Sequence, residues 1–308
     1  MQPAFSVIFL TVLIGAGQGL FLALFACELG GFGAATAERL ILAQGGGLAV
    51  FLSALGLLAS FFHLGRPERA WRAATMWRTS WLSREVIVLP LFMAVCAGWA
   101  LGHAWGTAGT RILGVAAVIV CLGLFVCTAM IYASLKFLQE WASPLTVVNY
   151  LTIGCASGTT LAATFASFVA PAWVPALTLA AWVLTLVALA TRVASLLRNA
   201  RLKPRSSLQS AIGVRHPVVR QRAQGFMGGS YATREFFHGR SALLLRSIKW
   251  FFLVAGFLLP AALLIGFESS RGVLLLAVAV QFSGVIAERW FFFAQSNHPQ
   301  NLYYQTIS

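Results

Sequence analysis

Eight apolar runs, each of about 20 residues, divide this chain and constrain its fold more than any other feature of the sequence. They lie near 5–29, 41–63, 85–106, 111–134, 146–168, 172–196, 247–267 and 272–294. About 20 apolar residues in a helix cross the hydrocarbon core of a bilayer. None of the runs alternates apolar and polar residues as a barrel strand does, and helices pair every backbone group within lipid. The sequence predicts an all-α integral membrane protein in which a bundle of eight transmembrane helices forms a single membrane domain over residues 1–308.

The composition indicates that lipid, rather than water, surrounds most of the chain. Charged residues make up 10% of its 308 residues, whereas about 25% of a soluble domain is charged. The 22 bases exceed the eight acids and give a net charge of +14, which in a soluble protein would favour nucleic-acid binding. Because these bases lie between apolar runs, we interpret them as topology signals and as a docking surface for an acidic partner. We expect no nucleic-acid partner.

The bases are distributed unevenly between the two sides of the predicted bundle. The links 64–84 and 197–246 lie on one side and carry most of them: Arg66, Arg69, Arg72, Arg78, Arg84, Arg198, Arg201, Lys203, Arg205, Arg215, Arg220, Arg222, Arg234, Arg240 and Arg246. The opposite links hold only Arg39, Arg111 and Arg271. The positive-inside rule places the basic side in the cytoplasm. The N-terminal run lacks the basic segment and cleavage site of a signal peptide, so we interpret it as a transmembrane helix. We therefore expect a multi-pass protein of the inner (cytoplasmic) membrane with both termini cytoplasmic.

The link 197–246 is long for a connection without structure of its own. Its centre mixes bases with aromatic residues in the stretch HPVVRQRAQGFMGGSYATREFFHG. We interpret this basic cytoplasmic link as a docking surface for a cytoplasmic subunit; the alternative is a solvated loop held by lipid headgroups.

The sequence offers no pattern for a metal centre. The five cysteines (Cys27, Cys96, Cys121, Cys127 and Cys155) lie within apolar runs and form neither a C-x-x-C motif nor a ferredoxin spacing. His103 follows Glu85 by 18 residues, which is about 27 Å along a helix axis. His63 and His103 thus belong to opposite membrane faces and cannot ligate one haem. We expect neither haem nor an iron–sulfur cluster in this chain.

Ionisable residues within or at the edge of the membrane are candidates for function, because placing them there is energetically unfavourable. Those in this chain are Glu28, His63, Glu85, His103, Arg192, Glu288 and Arg289. His63 ends the second run and Glu85 begins the third, so we expect them at similar depth on neighbouring antiparallel helices. An imidazole donates hydrogen bonds and changes charge near neutral pH, and a carboxylate carries protons. This pair suits proton-coupled quinone chemistry; the alternative for His63 is an interfacial side chain without a catalytic role.

Residues near this pair complete the predicted site. We expect Ser83 to cap the third helix, which would place Glu85 in its first turn. The segment from Pro67, with Trp71, Trp77 and Trp81 among arginines, is typical of a short interfacial helix, and we expect it to cover the His63–Glu85 region or to serve as a plain anchor. Arg66 is placed to stabilise a reduced quinone oxygen or to contact a lipid phosphate.

The residues of this region resemble the signature of the DMSO reductase anchor subunit (DmsC-type) family. In that family an S-x-x-HLG-x-P-x-R-A-x-x-A run precedes S-x-LS-x-E. The matching residues here are Ser60, His63, Leu64, Gly65, Pro67, Arg69, Ala70, Ala73, Ser80, Leu82, Ser83 and Glu85. The resemblance implies a membrane anchor for a molybdopterin catalytic subunit and an iron–sulfur electron-transfer subunit, reacting with ubiquinone or menaquinone. It assigns His63 and Glu85 to the quinone site.

The resemblance leaves the substrate of the catalytic partner open. The long basic link and the tail AQSNHPQNLYYQTIS look more like those of anchors of cytoplasmic sulfite dehydrogenases, a related branch. Two other functions remain possible from the sequence: a small transporter or proton channel, and a purely structural anchor. No internal repeat supports a transporter, and the His63–Glu85 pair argues against a purely structural role.

Overall fold

The structure, a computed structural model, describes residues 3–62, 64–219, 241–266 and 270–299. Within these ranges it contains no strand and has eight helices that are long and apolar enough to cross a membrane. They are α1 (Phe5–Leu29), α2 (Thr36–Phe61), α3 (Trp81–Trp105), α4 (Thr110–Ala133), α5 (Pro144–Val169), α6 (Val174–Ala200), α7 (Ala242–Gly266) and α8 (Arg271–Ala294). The prediction of an all-α protein with eight transmembrane helices is confirmed.

Helix α3 begins earlier than its apolar run, and its start corrects one prediction. Ser80, not Ser83, caps the helix: the Ser83 backbone N–H donates to Ser80 Oγ at 3.3 Å. Ser83 therefore lies inside the first turn, and Glu85, which was predicted to lie in that turn, follows it. The apolar run missed this turn because Ser83 and Arg84 are polar, although both continue the helix.

The link between α2 and α3 has the local structure that its sequence predicts. A 3₁₀ helix runs from Pro67 to Ala74, and none of its residues is buried. Three guanidinium groups lie 4.2–5.6 Å from the centres of neighbouring tryptophan rings: Arg72 over Trp71, Arg78 over Trp77 and Arg84 over Trp81. The first two pairs are exposed and the third is half-buried; Arg–Trp pairs of this kind are typical of a headgroup interface.

Helices α1 and α5 form the centre of the bundle. They are the most buried of the eight, with 72% and 67% of their most apolar segments inside the protein. Their backbones touch at glycines: a Cβ added to Gly19 would overlap the Gly154 carbonyl, and one added to Gly158 would overlap the Gly19 backbone. Small residues of this kind let membrane helices approach closely.

Replacing Gly19 with alanine is expected to destabilise the bundle. The added methyl group must push α1 away from α5, and overpacking of this kind typically costs about 1–3 kcal/mol. Thermal unfolding of the purified chain in detergent should show a lower midpoint for Gly19→Ala. Gly47→Ala is the matched control, since a Cβ at Gly47 meets nothing within 4 Å. Equal midpoints for the two variants would contradict the close contact.

Successive helices alternate in direction, so the bundle has two ends. We call one end the basic face; its described links are 64–80, 134–143 and 201–219. We call the other the opposite face; its described links are 30–35, 106–109 and 170–173. Arg198 connects the end of α6 to the link 134–143 at the basic face. Its guanidinium group donates to the carbonyls of Gln139 and Ala142 at 3.1 and 3.2 Å.

Candidate functional site

Glu85 lies near the basic face but points into the bundle. Its side chain is buried, and the hydroxyl of Thr128 on α4 donates to Glu85 Oε1 at 2.5 Å. A carboxylate withdrawn from water is held by such hydrogen bonds or by a bound proton. The predicted site residue Glu85 is therefore a buried carboxyl group positioned by a hydrogen bond from a neighbouring helix.

A small cavity separates Glu85 from α1, α5 and α8. Its volume is about 10 Å³, and its polar lining comes from Thr11, Gln18, Glu85, Thr128, Tyr150, Ser157 and Arg289. A space of this size holds about one water molecule. It is far smaller than the pockets of about 300 Å³ or more that take organic ligands. Glu85 thus faces a place for water and not a place for a quinone ring.

Behind this cavity lies a buried ionic cluster. Arg192 Nε on α6 lies 2.7 Å from Glu288 Oε1, and Arg289 Nη1 lies 3.3 Å from Glu288 Oε2. The Arg289 guanidinium also lies 3.8 Å from the centre of the Tyr150 ring. Because Arg289 and Tyr150 line the cavity, the cluster presents positive charge across it to Glu85.

The other predicted site residues do not join this cavity. Ser83 is buried on α3 but does not line it, and Arg66 is exposed in the link that follows α2. His63 lies outside the described residues. The structure thus brings Glu85 together with Arg289 and Tyr150, and it leaves Arg66 at the surface.

The sequence named Arg192, Glu288 and Arg289 as intramembrane charges without assigning them a partner. Arg192 precedes Glu288 by 96 residues, and no local pattern shows that α6 and α8 bring these two side chains together. The only available signal was the unfavourable energy of each charge within an apolar run.

The described residues contain no group of three or more His, Cys, Asp or Glu side chains placed to hold a metal ion. The five cysteines are free thiols, four of them buried. The Cys121 thiol accepts a weak contact from Gln18 Nε2 at 3.7 Å and donates one to the Gln18 carbonyl at 3.9 Å.

Two comparisons place the chain among known proteins. The family model of the DMSO reductase anchor subunit (DmsC) matches residues 1–295. The chain belongs to this family. It is also 53% identical to the C subunit of sulfite dehydrogenase from Allochromatium vinosum, in an alignment that covers the full length of both chains. The resemblance seen at 60–85 is confirmed, and the match to this anchor family extends through all eight helices.

Membership in an anchor family defines the chain as a multi-pass membrane subunit of an oxidoreductase complex. Such a subunit has partner subunits, which it holds at the membrane.

Proposed function

We propose that this chain is the quinone-reactive, non-catalytic anchor subunit of a molybdopterin oxidoreductase of the sulfite dehydrogenase type. It exchanges electrons between an iron–sulfur partner subunit and the quinone pool. The observation that carries the proposal is Glu85: a buried carboxylate near the basic face, opposite a cation and beside a cavity for water. The identity to the sulfite dehydrogenase protein of Allochromatium vinosum supports the choice of catalytic partner.

The proposed reaction divides electrons and protons between different groups. Reduction of a quinone to a quinol takes two electrons and two protons, and the reverse reaction releases them. The electrons pass to or from the last cluster of the partner. Glu85 transfers protons between the quinone and the basic face as a general acid and base. The hydrogen bond from Thr128 positions its carboxyl group.

The quinone itself binds outside the small cavity, which has no room for its ring. We place the ring at the basic-face edge of α2 and α3, where His63 donates a hydrogen bond to one carbonyl oxygen. Ser83 belongs to the same turn of α3 as Glu85 and lines this edge in our proposal. Arg66 is exposed there and meets either the reduced oxygen or a lipid phosphate.

The basic face is the proposed docking surface for the iron–sulfur subunit. A groove of about 560 Å³ lies between the link 134–143, the end of α6 and residues 297–299, with Gln139, Glu140 and Arg205 in its lining. Residues 220–240 of the basic link lie outside the described residues. The excess of bases on this side favours an acidic partner surface.

Isolation of the complex tests the proposal. We expect a tagged chain to co-purify with a molybdopterin subunit and an iron–sulfur subunit, and the complex to exchange electrons with a short-chain quinone. Co-purification without quinone turnover would support a purely structural anchor. Isolation of the chain alone, with ion or proton flux in vesicles, would support the transporter or channel alternative.

The orientation of the chain has its own test. Because the basic links predict a cytoplasmic basic face, an alkaline phosphatase fused after Ser308 should be inactive, since that enzyme matures only in the periplasm. A fusion within the link 106–109 should be active. The reverse pattern would place the basic face in the periplasm and overturn the orientation.

A further inference from the structure

A second buried carboxylate lies at the other end of the bundle, far from the proposed quinone site. Glu28, one residue before the end of α1, is 3% exposed. Trp99 Nε1 on α3 donates to its Oε2 at 2.8 Å, and Thr110 Oγ1 at the start of α4 donates to its Oε1 at 3.0 Å. Three helices therefore hold this carboxylate in one orientation.

His103 lies beside Glu28 and is 4% exposed. Its Nε2 is 3.3 Å from Glu28 Oε1, and its ring contacts the Trp99 ring edge to face, with centres 4.9 Å apart. Neither ring nitrogen has a hydrogen bond of acceptable geometry to any described residue. A buried polar group with a purely structural role is normally hydrogen-bonded to the protein or to water. The ring nitrogens of His103 thus have capacity for another partner.

His103 lines a cavity of about 150 Å³. Its lining includes Glu28, His103 and Thr110 together with the connection from α1 to α2, and it has room for several water molecules. Gly31 and Gly33, with φ of +98° and +101°, bend this connection over the cavity.

The charged groups around His103 come from three neighbouring helices. Glu28 of α1, Arg39 of α2 and Arg111 of α4 line the same cavity, and α3 contributes His103 alone. Glu38 of α2 turns to the connection instead, where it accepts from the backbone N–H groups of Gly33 and Ala35 at 2.9 and 3.2 Å. Among the residues that line this cavity, Glu28 is therefore the carboxylate that faces His103.

Aromatic side chains separate this cavity from the one beside Glu85. Gln18 lines the Glu85 cavity and precedes Glu28 by ten residues on α1, which is about 15 Å. Phe21, Phe92 and Trp99 fill the space between, with Phe21 ring centres 5.8 and 5.3 Å from the other two, and all three are fully buried. The two cavities thus belong to different ends of the bundle.

We propose that Glu28 and His103 form a proton-exchange site that opens through the 150 Å³ cavity to the opposite face of the membrane. A hydronium ion in the cavity gives its proton to a ring nitrogen of His103, an N–H bond forms, and a neutral water molecule remains. The carboxylate of Glu28 stabilises the resulting imidazolium. This site does not depend on the quinone chemistry proposed for Glu85, and it gives the chain proton-binding groups at both ends.

Titration of the histidine side chains in the full-length chain tests the site. With only five histidines, labelled imidazole nitrogens give an assignable NMR spectrum in lipid vesicles, and His103→Gln identifies the His103 signals. We expect these signals to change between the neutral and protonated positions as the pH is varied. In Glu28→Gln this response should be altered, because the carboxylate 3.3 Å from His103 Nε2 has been removed.

The sidedness of the response provides the second measurement. His216, exposed in the basic-face link, is the internal reference. In vesicles with one orientation, a pH change applied only outside should shift either His103 or His216, but not both. The proposal is overturned if His103 keeps one protonation state throughout, or if it responds from the same side as His216. The sidedness measurement is made on the wild-type chain, so a folding defect in Glu28→Gln leaves it intact, and His103→Gln serves only to assign the His103 signals.

Discussion

Glu85→Gln is expected to slow quinone-coupled turnover by about 100-fold or more, which is the usual contribution of a positioned proton-transfer group. Glutamine keeps the size of the side chain and accepts the hydrogen bond from Thr128, but it carries no transferable proton. His63→Gln should have a similar effect, because the proposed hydrogen bond to the quinone carbonyl is altered. Turnover with a short-chain quinone, measured against turnover with an artificial dye that reacts directly with the partner subunits, separates this effect from loss of assembly.

The control for this experiment is Glu68→Gln, in the 3₁₀ helix that connects α2 to α3. Its carboxylate is 65% exposed and lies 3.8 Å from Arg69 Nε, so the change removes a solvated charge and nothing buried. We expect near-native turnover with both electron acceptors. If Glu85→Gln and His63→Gln also turned over quinone at the native rate, the purely structural anchor would be the better description.

Glu288→Ala is expected to have the largest effect on stability. It leaves Arg192 and Arg289 buried without their shared carboxylate, and breaking a buried ion pair from one side typically costs about 3–5 kcal/mol. A loss of this size is a large fraction of the stability of most folded domains. Thermal unfolding in detergent, followed by circular dichroism, should show a strongly lowered midpoint or little folded protein.

A double variant distinguishes lost charge pairing from lost packing. Arg192→Met together with Glu288→Gln removes both charges of one ion pair. The amide oxygen introduced by Glu288→Gln can still accept from Arg289, whose guanidinium remains over the Tyr150 ring. We expect this double variant to be more stable than Glu288→Ala. If the thermal unfolding midpoint of Glu288→Ala equals that of the wild-type chain, the ionic cluster does not stabilise the bundle.

The helices could be predicted because a membrane-spanning helix requires an apolar run of sufficient length, which the sequence shows directly. Their starts were less predictable, since the first turns of α2 and α3 contain Glu38 and Arg84 and are not apolar throughout. Capping also depends on backbone geometry: Ser80 and Ser83 are both suited to a cap, and the structure selects Ser80.

Only the part of the candidate site that depends on position along the chain could be predicted from the sequence. Glu85 was identified from its position at a membrane edge, but its contact with Thr128 depends on how α3 packs on α4. The pairing of Arg192 on α6 with Glu288 on α8, and the place of Arg289 of α8 in the Glu85 cavity, depend on helices that are distant in sequence. The pairing of Glu28 with His103 could not be predicted for the same reason. The periodicity of apolar residues shows which face of a helix is buried, but it does not show which helix packs against that face.

The central position of α5 has a consequence for how the protein is made. This helix has the lowest mean hydropathy of the eight, and Ser157, Thr160 and Thr164 bond to carbonyls of their own helix at 2.9 Å. On its own it partitions into lipid less favourably than its neighbours. Synthesis proceeds from the N-terminus, so α1 is already in the membrane when α5 leaves the ribosome. The glycine contact with α1 then gives the nascent α5 a protein surface to insert against, and biogenesis of the second half of the chain depends on its first helix.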